Sequence, residues 1–316
     1  MFRYFPTATT LSLALALLLA FSSLSLSAEP VKAKKVLYIG IDGCRFDAIQ
    51  KAEAPAIDAL IEKGAYTGHC LILGDRYRKN DTISGPGWST ILTGVWADKH
   101  GVHNNTFKGS QYDKFPCLFD LVKKKLPTAR CVSHVTWEPI DKFIITAADE
   151  KKSYEQKPHT IADYVKYDTE ATDASVKELK EQNPDIVFLY IGQVDVTGHT
   201  HGFHPTVPQY IEAIERADGH VAAAVAAMKS RPTFDQEDWL VVVTSDHGGK
   251  GTNHSSGHEV PEILNSFLIV SGSDVAPGEI AEQCYLVDGA ATVIHHLTPL
   301  DPAWQLDGTP RGKTKQ

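Results

Sequence analysis

The amino-acid sequence predicts an α/β fold with a mostly parallel central sheet covered by helices, and three observations carry that expectation. Four apolar runs, residues 36–41, 186–191, 240–244 and 267–270, have the length and β-branched content of buried strands. Segments with helical periodicity separate them, and such alternation favours parallel strands joined by helices. Two of the runs end in chemistry: the first stops at Asp42, and the third continues through Ser245 into Asp246-His247. In open α/β sheets the carboxyl ends of the strands are where ligands bind.

Taken in order, the chain opens with Arg3, an apolar run over residues 11–21 and the small residues Ser25-Leu-Ser-Ala28. This is the three-part pattern of a secretory signal peptide, so residues 1–28 are set aside as a leader and export to the periplasm or the medium is expected. The apolar core falls short of the roughly 20 residues that a membrane-spanning helix needs, so no stable span is expected after cleavage. No Pro-rich or Gly/Ser linker divides residues 29–316, which read as one catalytic domain. Residues 54–64 read as a helix stopped by Gly64. The helix after Pro208 is the clearest, with Ile211, Ile214, Val221, Val225 and Met228 on one face and Glu212, Glu215 and Arg216 on another. Residues 103–180, rich in Lys, Tyr, Trp and Asp, form a possible cap or insert over the site.

The formal charge of −8 grows more negative once Arg3 is removed, which disfavours binding to long nucleic acid. Five cysteines, Cys44, Cys70, Cys117, Cys131 and Cys284, show no Cys-x-x-Cys spacing, so neither a zinc ribbon nor a dense disulfide scaffold is indicated. Pairing and buried free thiols are equally compatible with the sequence.

Three constellations carry the chemistry. Ser84 precedes a Gly/Pro-rich bend, Gly85-Pro-Gly87, and then an apolar stretch, which places a hydroxyl at a helix N-terminus. Unpaired N–H groups and the helix dipole there favour a serine alkoxide or a phosphoryl oxygen, although a plain N-cap serine fits the same pattern. Asp195-Val-Thr-Gly-His199 follows the second strand, and residues four apart meet on one helical turn. The histidines that follow, His201 and His204, read as neighbours of the site rather than ligands. Asp246-His247 begins a glycine loop that reaches His254 and then His258, and adjacent Asp and His after a strand can supply two ligands at once.

The order Asp42, Ser84, Asp195-x-x-x-His199, Asp246-His247, His254 resembles the alkaline phosphatase superfamily, most closely its type I phosphodiesterase/nucleotide pyrophosphatase branch. The resemblance runs from Val36 to about Gly308 and implies an alkaline-phosphatase-like three-layer α/β/α sandwich. It implies two divalent metal ions, most simply Zn²⁺, which a mixed imidazole and carboxylate set suits. Carried over by motif, Asp42, Asp246 and His247 with Ser84 would hold one ion; Asp195, His199 and His254 would hold the other, with His258 as the alternative last ligand. Asn105 falls where the family binds a nonbridging phosphoryl oxygen. The implied reaction is attack of Ser84 on phosphorus, through a phosphoserine, with Asn105 and the Gly85 N–H holding equatorial oxygens. The substrate is then a small phosphate ester of nucleotide or lipid headgroup type.

The departures from the family matter. Ser84 stands where the phosphodiesterases commonly have Thr, and Gly87-Trp88 where they often have Asn-His. Thr82 is an alternative nucleophile, less well placed relative to Pro86. The alternatives to diester hydrolysis are a phosphomonoesterase, a sulfatase, and a non-catalytic binding protein of the same fold. The sulfatase reading is weakened because Trp88 occupies the place of the Arg in the Ser/Cys-x-Pro-x-Arg motif. Trp137, Trp88, Tyr112 and Phe107 could stack on a leaving group, although aromatics more often pack. Lys250 reads more simply as a solvated loop residue than as a phosphate contact.

Overall fold

Consecutive residues of the first strand, β1 (Ala33–Ile41), enter two different cores: Val36 and Tyr38 on one side, Leu37, Ile39 and Ile41 on the other. A strand that is apolar on both faces must be covered on both faces. The computed structural model describes residues 1–4, 31–156 and 160–312. Beyond residue 4 the expected leader lies outside the described residues, and among those described no helix is long and apolar enough to cross a membrane.

Eight further strands complete one sheet: β2 (Ala65–Leu71), β3 (Cys131–Val135), β4 (Glu150–Ser153), β5 (Ile186–Ile191), β6 (Glu237–Thr244), β7 (Asn265–Gly272), β8 (Gly278–Glu279) and β9 (Cys284–Tyr285). Their order is β4-β3-β5-β1-β6-β7-β2-β8, with β9 also paired to β2. β7 runs antiparallel to both of its neighbours, and the remaining pairings are parallel. The four strands expected from the sequence are β1, β5, β6 and β7. Residues 131–135 and 150–153, inside the segment read as a possible cap, extend the sheet at one edge.

One face is covered by the helices Ser84–Thr93, Leu118–Lys125 and Asp288–Leu297, whose Ile91, Leu121 and Val293 join Val36 and Tyr38. The other is covered by Pro55–Lys63, Ile161–Glu181 and Pro208–Lys229, whose Leu60, Leu179 and Val221 join Leu37 and Ile39. The helix Ile161–Glu181 starts at a reciprocal cap: Thr160 accepts the Asp163 N–H, and the Asp163 carboxylate accepts the Thr160 N–H. From this helix the buried Asp168 accepts the Thr136 hydroxyl at 2.8 Å and the N–H groups of Gly192 and Gln193 at 2.9 and 3.0 Å. It thereby fixes the turn between β5 and the helix Gln193–His201 that carries Asp195. All five cysteines are buried and unpaired.

A buried ion pair closes the far end of β6. Arg231 Nε and Nη2 each donate to Glu237 at 2.8 Å, and Trp239 Nε1 and the Thr233 hydroxyl add donors to the same carboxylate. Burial acts to raise the Glu237 carboxyl, but these donors outweigh it and hold the group at about 2, below its ordinary 4.5. A depressed carboxyl contributes stability that is complete above its unfolded value and is lost as pH falls through its folded one. Glu237→Gln should cost about 3–5 kcal/mol near neutral pH, because it leaves the Arg231 charge buried without its partner. In urea unfolding, the gap between wild type and variant should narrow as pH falls from 4.5 toward 2, and a gap that ignores pH would refute the ionic account.

Candidate active site

β5, β1 and β6 lie side by side and parallel, so their carboxyl ends open onto one rim. Asp42 follows β1 directly, Asp246 stands two residues beyond β6, and Asp195 sits in the first turn of the helix Gln193–His201 after β5. Gly43 makes their approach possible. Its φ of 62° lies in the left-handed region, and a Cβ there would stand 2.7 Å from Asp195 Oδ1. Its N–H donates to Asp246 Oδ1 at 3.2 Å. Arg45 ties the rim together, donating through Nη1 to the carbonyls of Phe203 and Gly249 at 2.8 and 3.0 Å.

Three histidines face these carboxylates, and each is oriented by a backbone carbonyl. His199 Nδ1 lies 2.9 Å from the Thr252 carbonyl, His247 Nδ1 2.9 Å from that of Gly248, and His254 Nδ1 3.1 Å from that of Thr82. A carbonyl only accepts, so each Nδ1 carries a proton and each Nε2 faces the rim. His199 and His254 bring their Nε2 atoms to 2.9 Å, and the His247 and His254 rings stack with centroids 3.7 Å apart.

The donor atoms fall into two groups. His247 Nε2 lies 3.2 Å from Asp246 Oδ2, 3.6 Å from Asp42 Oδ1 and 3.4 Å from Ser84 Oγ, which is 3.5 Å from Asp42 Oδ1. His254 Nε2 lies 3.4 Å from Asp195 Oδ1, and His199 Nε2 lies 3.5 Å from Asp195 Oδ2. Donors bound about 2.0–2.1 Å from a tetrahedral ion stand about 3.3 Å from one another, which the first group matches; in the second, His254 and His199 approach different oxygens of Asp195. His247 lies at their junction, since Asp195, His247 and His254 also come within 4.8 Å of one another. Asp195 Oδ1 and Asp246 Oδ2 are buried and accept no hydrogen bond, which is the state of an oxygen kept for a cation.

Electrostatics points the same way. Burial and the charge of Asp195 push the Asp42 carboxyl up to about 7, against the hydrogen bonds that favour its charged form. Burial and the charges of Asp42 and Asp195 raise Asp246 well above the carboxylate range. Burial depresses His247 to about 3, so that imidazole is neutral. Burial also acts to raise Asp195, yet the His254 imidazole beside it prevails and holds it below its ordinary value. Divalent cations would relieve this crowding of carboxylates.

Ser84 is the first residue of its helix, with Ile83 as N-cap. The Gly85 N–H, expected to hold a phosphoryl oxygen, instead donates to Asn105 Oδ1 at 2.7 Å. Pro86 has no N–H, and the Gly87 N–H already bonds the Ile83 carbonyl, so this helix terminus has few donors left. The consequence is orientation: with Oδ1 held, Asn105 keeps its Nδ2 donor for the cavity beside it. That cavity, of about 250 Å³, is lined by Ser84, Asn105, Trp137, Tyr164, His199 and Ser255 among others. None of its described lining residues is Lys or Arg.

Other expected positions fall elsewhere. His258 Nε2 lies 2.8 Å from the Asn80 carbonyl, outside both donor groups. Thr82 donates its hydroxyl to the His254 carbonyl at 2.5 Å and accepts the Gly257 N–H at 2.9 Å, so it braces the His254 loop. Trp88 and Phe107 are buried, and Tyr112 bonds the Ser89 hydroxyl; of the four aromatics considered as stacking partners, Trp137 lines the cavity. Lys250 pairs with Glu262 at 3.0 Å, and the His204 ring bonds Thr206. Arg45, Gly43, Tyr190 and Asp168 contribute without being singled out by the sequence reading. Tyr190, whose hydroxyl donates to Asp42 Oδ2, lies in an apolar run with nothing to mark it, whereas Asp168 left a signal, a carboxylate on the buried stripe of a helix.

Comparison with known proteins shows what the chain is similar to. Ectonucleotide pyrophosphatase/phosphodiesterase family member 7 of Homo sapiens is 24% identical over 267 residues, covering 76% of this chain and 53% of that protein. The Rattus norvegicus counterpart is 25% identical over 231 residues, covering 68% of this chain and 49% of its own. The chain thus spans about half the length of the curated relatives it matches. Among solved structures, a 2-O GAG sulfatase superposes with a TM-score of 0.70 at 14% identity, covering 88% of this chain and 73% of that one. Murine ectonucleotide pyrophosphatase/phosphodiesterase 5 in complex with AMP superposes with a TM-score of 0.62 at 14% identity, covering 89% of this chain and 97% of that one. The superposed structures share this chain's α/β fold; residues 36–286 match the family described as type I phosphodiesterase/nucleotide pyrophosphatase, and the chain belongs to that family.

Proposed function

We propose that this protein is an exported hydrolase of phosphoric diesters that works with two divalent ions, most simply Zn²⁺, and with Ser84 as its nucleophile. The carrying observation is the pair of donor groups, Asp42, Ser84, Asp246 and His247 in one and Asp195, His199 and His254 in the other. Bound there, the cations would supply Lewis-acid stabilisation of the attacking and leaving oxygens of an in-line displacement.

The protein's own groups do the rest. Ser84 Oγ gives up its proton and forms a bond to phosphorus as one ester oxygen departs and leaves as the alcohol, giving a phosphorylated serine that still carries the second ester group; water then breaks the Ser84–phosphorus bond, returning a proton to Ser84 Oγ and releasing a phosphate monoester. Asn105 Nδ2, aimed by the Gly85 N–H on Oδ1, donates to a nonbridging oxygen as its charge grows. The cavity favours diesters over monoesters, because a diester carries a single negative charge while a terminal phosphate is a dianion that a lysine or arginine would help to balance. Trp137 and Tyr164 supply aromatic walls for the organic part of a small substrate such as a nucleotide. A sulfatase reading lacks support at position 88, where a buried indole replaces the motif's arginine.

Ser84→Ala should lower hydrolysis of bis-p-nitrophenyl phosphate by about 10³-fold or more while the folded protein still binds metal. Activity within a few-fold of wild type would sink the nucleophile assignment. Chelation should abolish turnover and zinc should restore it, whereas Asp195→Ala should lose one equivalent of zinc by elemental analysis; retention of both equivalents would misplace the second group. Initial rates with zinc supplied should rank the diester above p-nitrophenyl phosphate and p-nitrophenyl sulfate. A preference for the monoester or the sulfate would overturn the substrate class, and absence of turnover on all three would favour the non-catalytic alternative.

A further inference from the structure

The dipeptide Gly87-Trp88 departs from the Asn-His of related phosphodiesterases, and the structure gives it work away from the substrate. Trp88 is fully buried, and its Nε1–H donates to Asp42 Oδ2 at 2.8 Å. The Tyr190 hydroxyl donates to the same oxygen at 2.5 Å. The two rings meet edge to face, 5.1 Å between centroids, so each holds the other against the carboxylate. Two glycines make room. A Cβ on Gly40 in β1 would stand 2.3 Å from Trp88 Cη2, and a Cβ on Gly87 would stand 2.9 Å from Asp246 Cβ.

We propose that Trp88 and Tyr190 are positioning residues that make Asp42 a one-oxygen ligand and thereby set the affinity of one of the two metal positions. An ionised carboxylate oxygen has two lone-pair directions, and here both on Oδ2 are taken by buried donors. Oδ1 is the oxygen left to face Ser84 Oγ at 3.5 Å and His247 Nε2 at 3.6 Å. The clamp therefore forbids bidentate binding by Asp42 and fixes its free oxygen at the spacing that a small tetrahedral shell needs. Gly87 serves the same shell by letting the helix Ser84–Thr93 approach Asp246. The second donor group, Asp195, His199 and His254, receives no hydrogen bond from Trp88 or Tyr190. The inference rests on the two-ion reading above, but it concerns a difference between the two positions.

The test titrates the full-length mature protein with Zn²⁺ against a chromophoric chelator, and separately with Co²⁺ to follow visible absorption, for wild type, Trp88→Phe and Tyr190→Phe. Phenylalanine keeps an aromatic ring at each place and removes the donor. Each variant should weaken one of the two zinc equivalents by about 10-fold or more, as loss of a ligand's hydrogen-bond partner does elsewhere, and leave the other within about 2-fold. The Co²⁺ absorption of the weakened position should change in shape, because Oδ2 becomes free to bind. Melting temperatures of the chelated proteins control for packing, and Tyr190→Phe, the smaller change, covers the case in which Trp88→Phe fails to fold. Wild-type affinity at both positions in Tyr190→Phe, or equal weakening of both, would overturn the clamp while leaving the two-ion reading intact. A wild-type protein that binds no zinc would overturn both.

Discussion

Three carboxylates, Asp42, Asp195 and Asp246, converge on one rim of the sheet, and two of them are fully buried. Burial in a medium of low polarity penalises each charge; Asp195 raises Asp42, and both raise Asp246, while the His254 imidazole holds Asp195 below its ordinary value. Divalent cations would stabilise such a cluster in its charged form. The surrounding groups are consistent with that. Three imidazoles are locked by carbonyls so that Nε2 faces inward, and two carboxylate oxygens are held out of every hydrogen bond. The supporting structure, from the Arg45 tie to the Asp168 turn, holds loops that would otherwise be driven apart.

The sheet supplies this cluster through direction and adjacency. Because β5, β1 and β6 are parallel neighbours, residues beyond their carboxyl ends meet at one place without long excursions. Both faces of these strands are apolar, so the helices cover the sheet while the strand ends remain free for polar work. Ser84 arrives from another direction, at the start of a helix on one face, and closes one donor group from above the rim. Strand ends thus provide most of the charge and a helix start provides the nucleophile.

How much of this was legible depended on whether a residue's neighbours in sequence are also its neighbours in space. Residues 186–191 read as a strand and form β5 with the same bounds, because a buried central strand is written as an unbroken apolar run. β2, β3 and β4 were not recognised. They are short or carry polar residues, and pairing partners rather than local pattern make them strands. At the rim, residues that follow apolar runs, such as Asp42 and Asp246, are the ones a sequence marks. Tyr190 was hidden, since a tyrosine in an apolar run is written the same way whether its hydroxyl is idle or holds a carboxylate. Asn105 was placed but its partner was not: the Gly85 N–H, assigned to the substrate, orients Asn105, a contact across 20 residues of sequence. Trp88 read as a possible stacking surface and is a buried donor, which only the packing of the helix against β1 could reveal.

The most direct test of two cations in these donor groups is anomalous diffraction at the zinc absorption edge from crystals of the mature protein grown with zinc. The account predicts two peaks, one among Asp42, Ser84, Asp246 and His247 and one among Asp195, His199 and His254, each with donors about 2.0–2.3 Å away. A single peak, or a peak bound by His258 in place of His254, would contradict it.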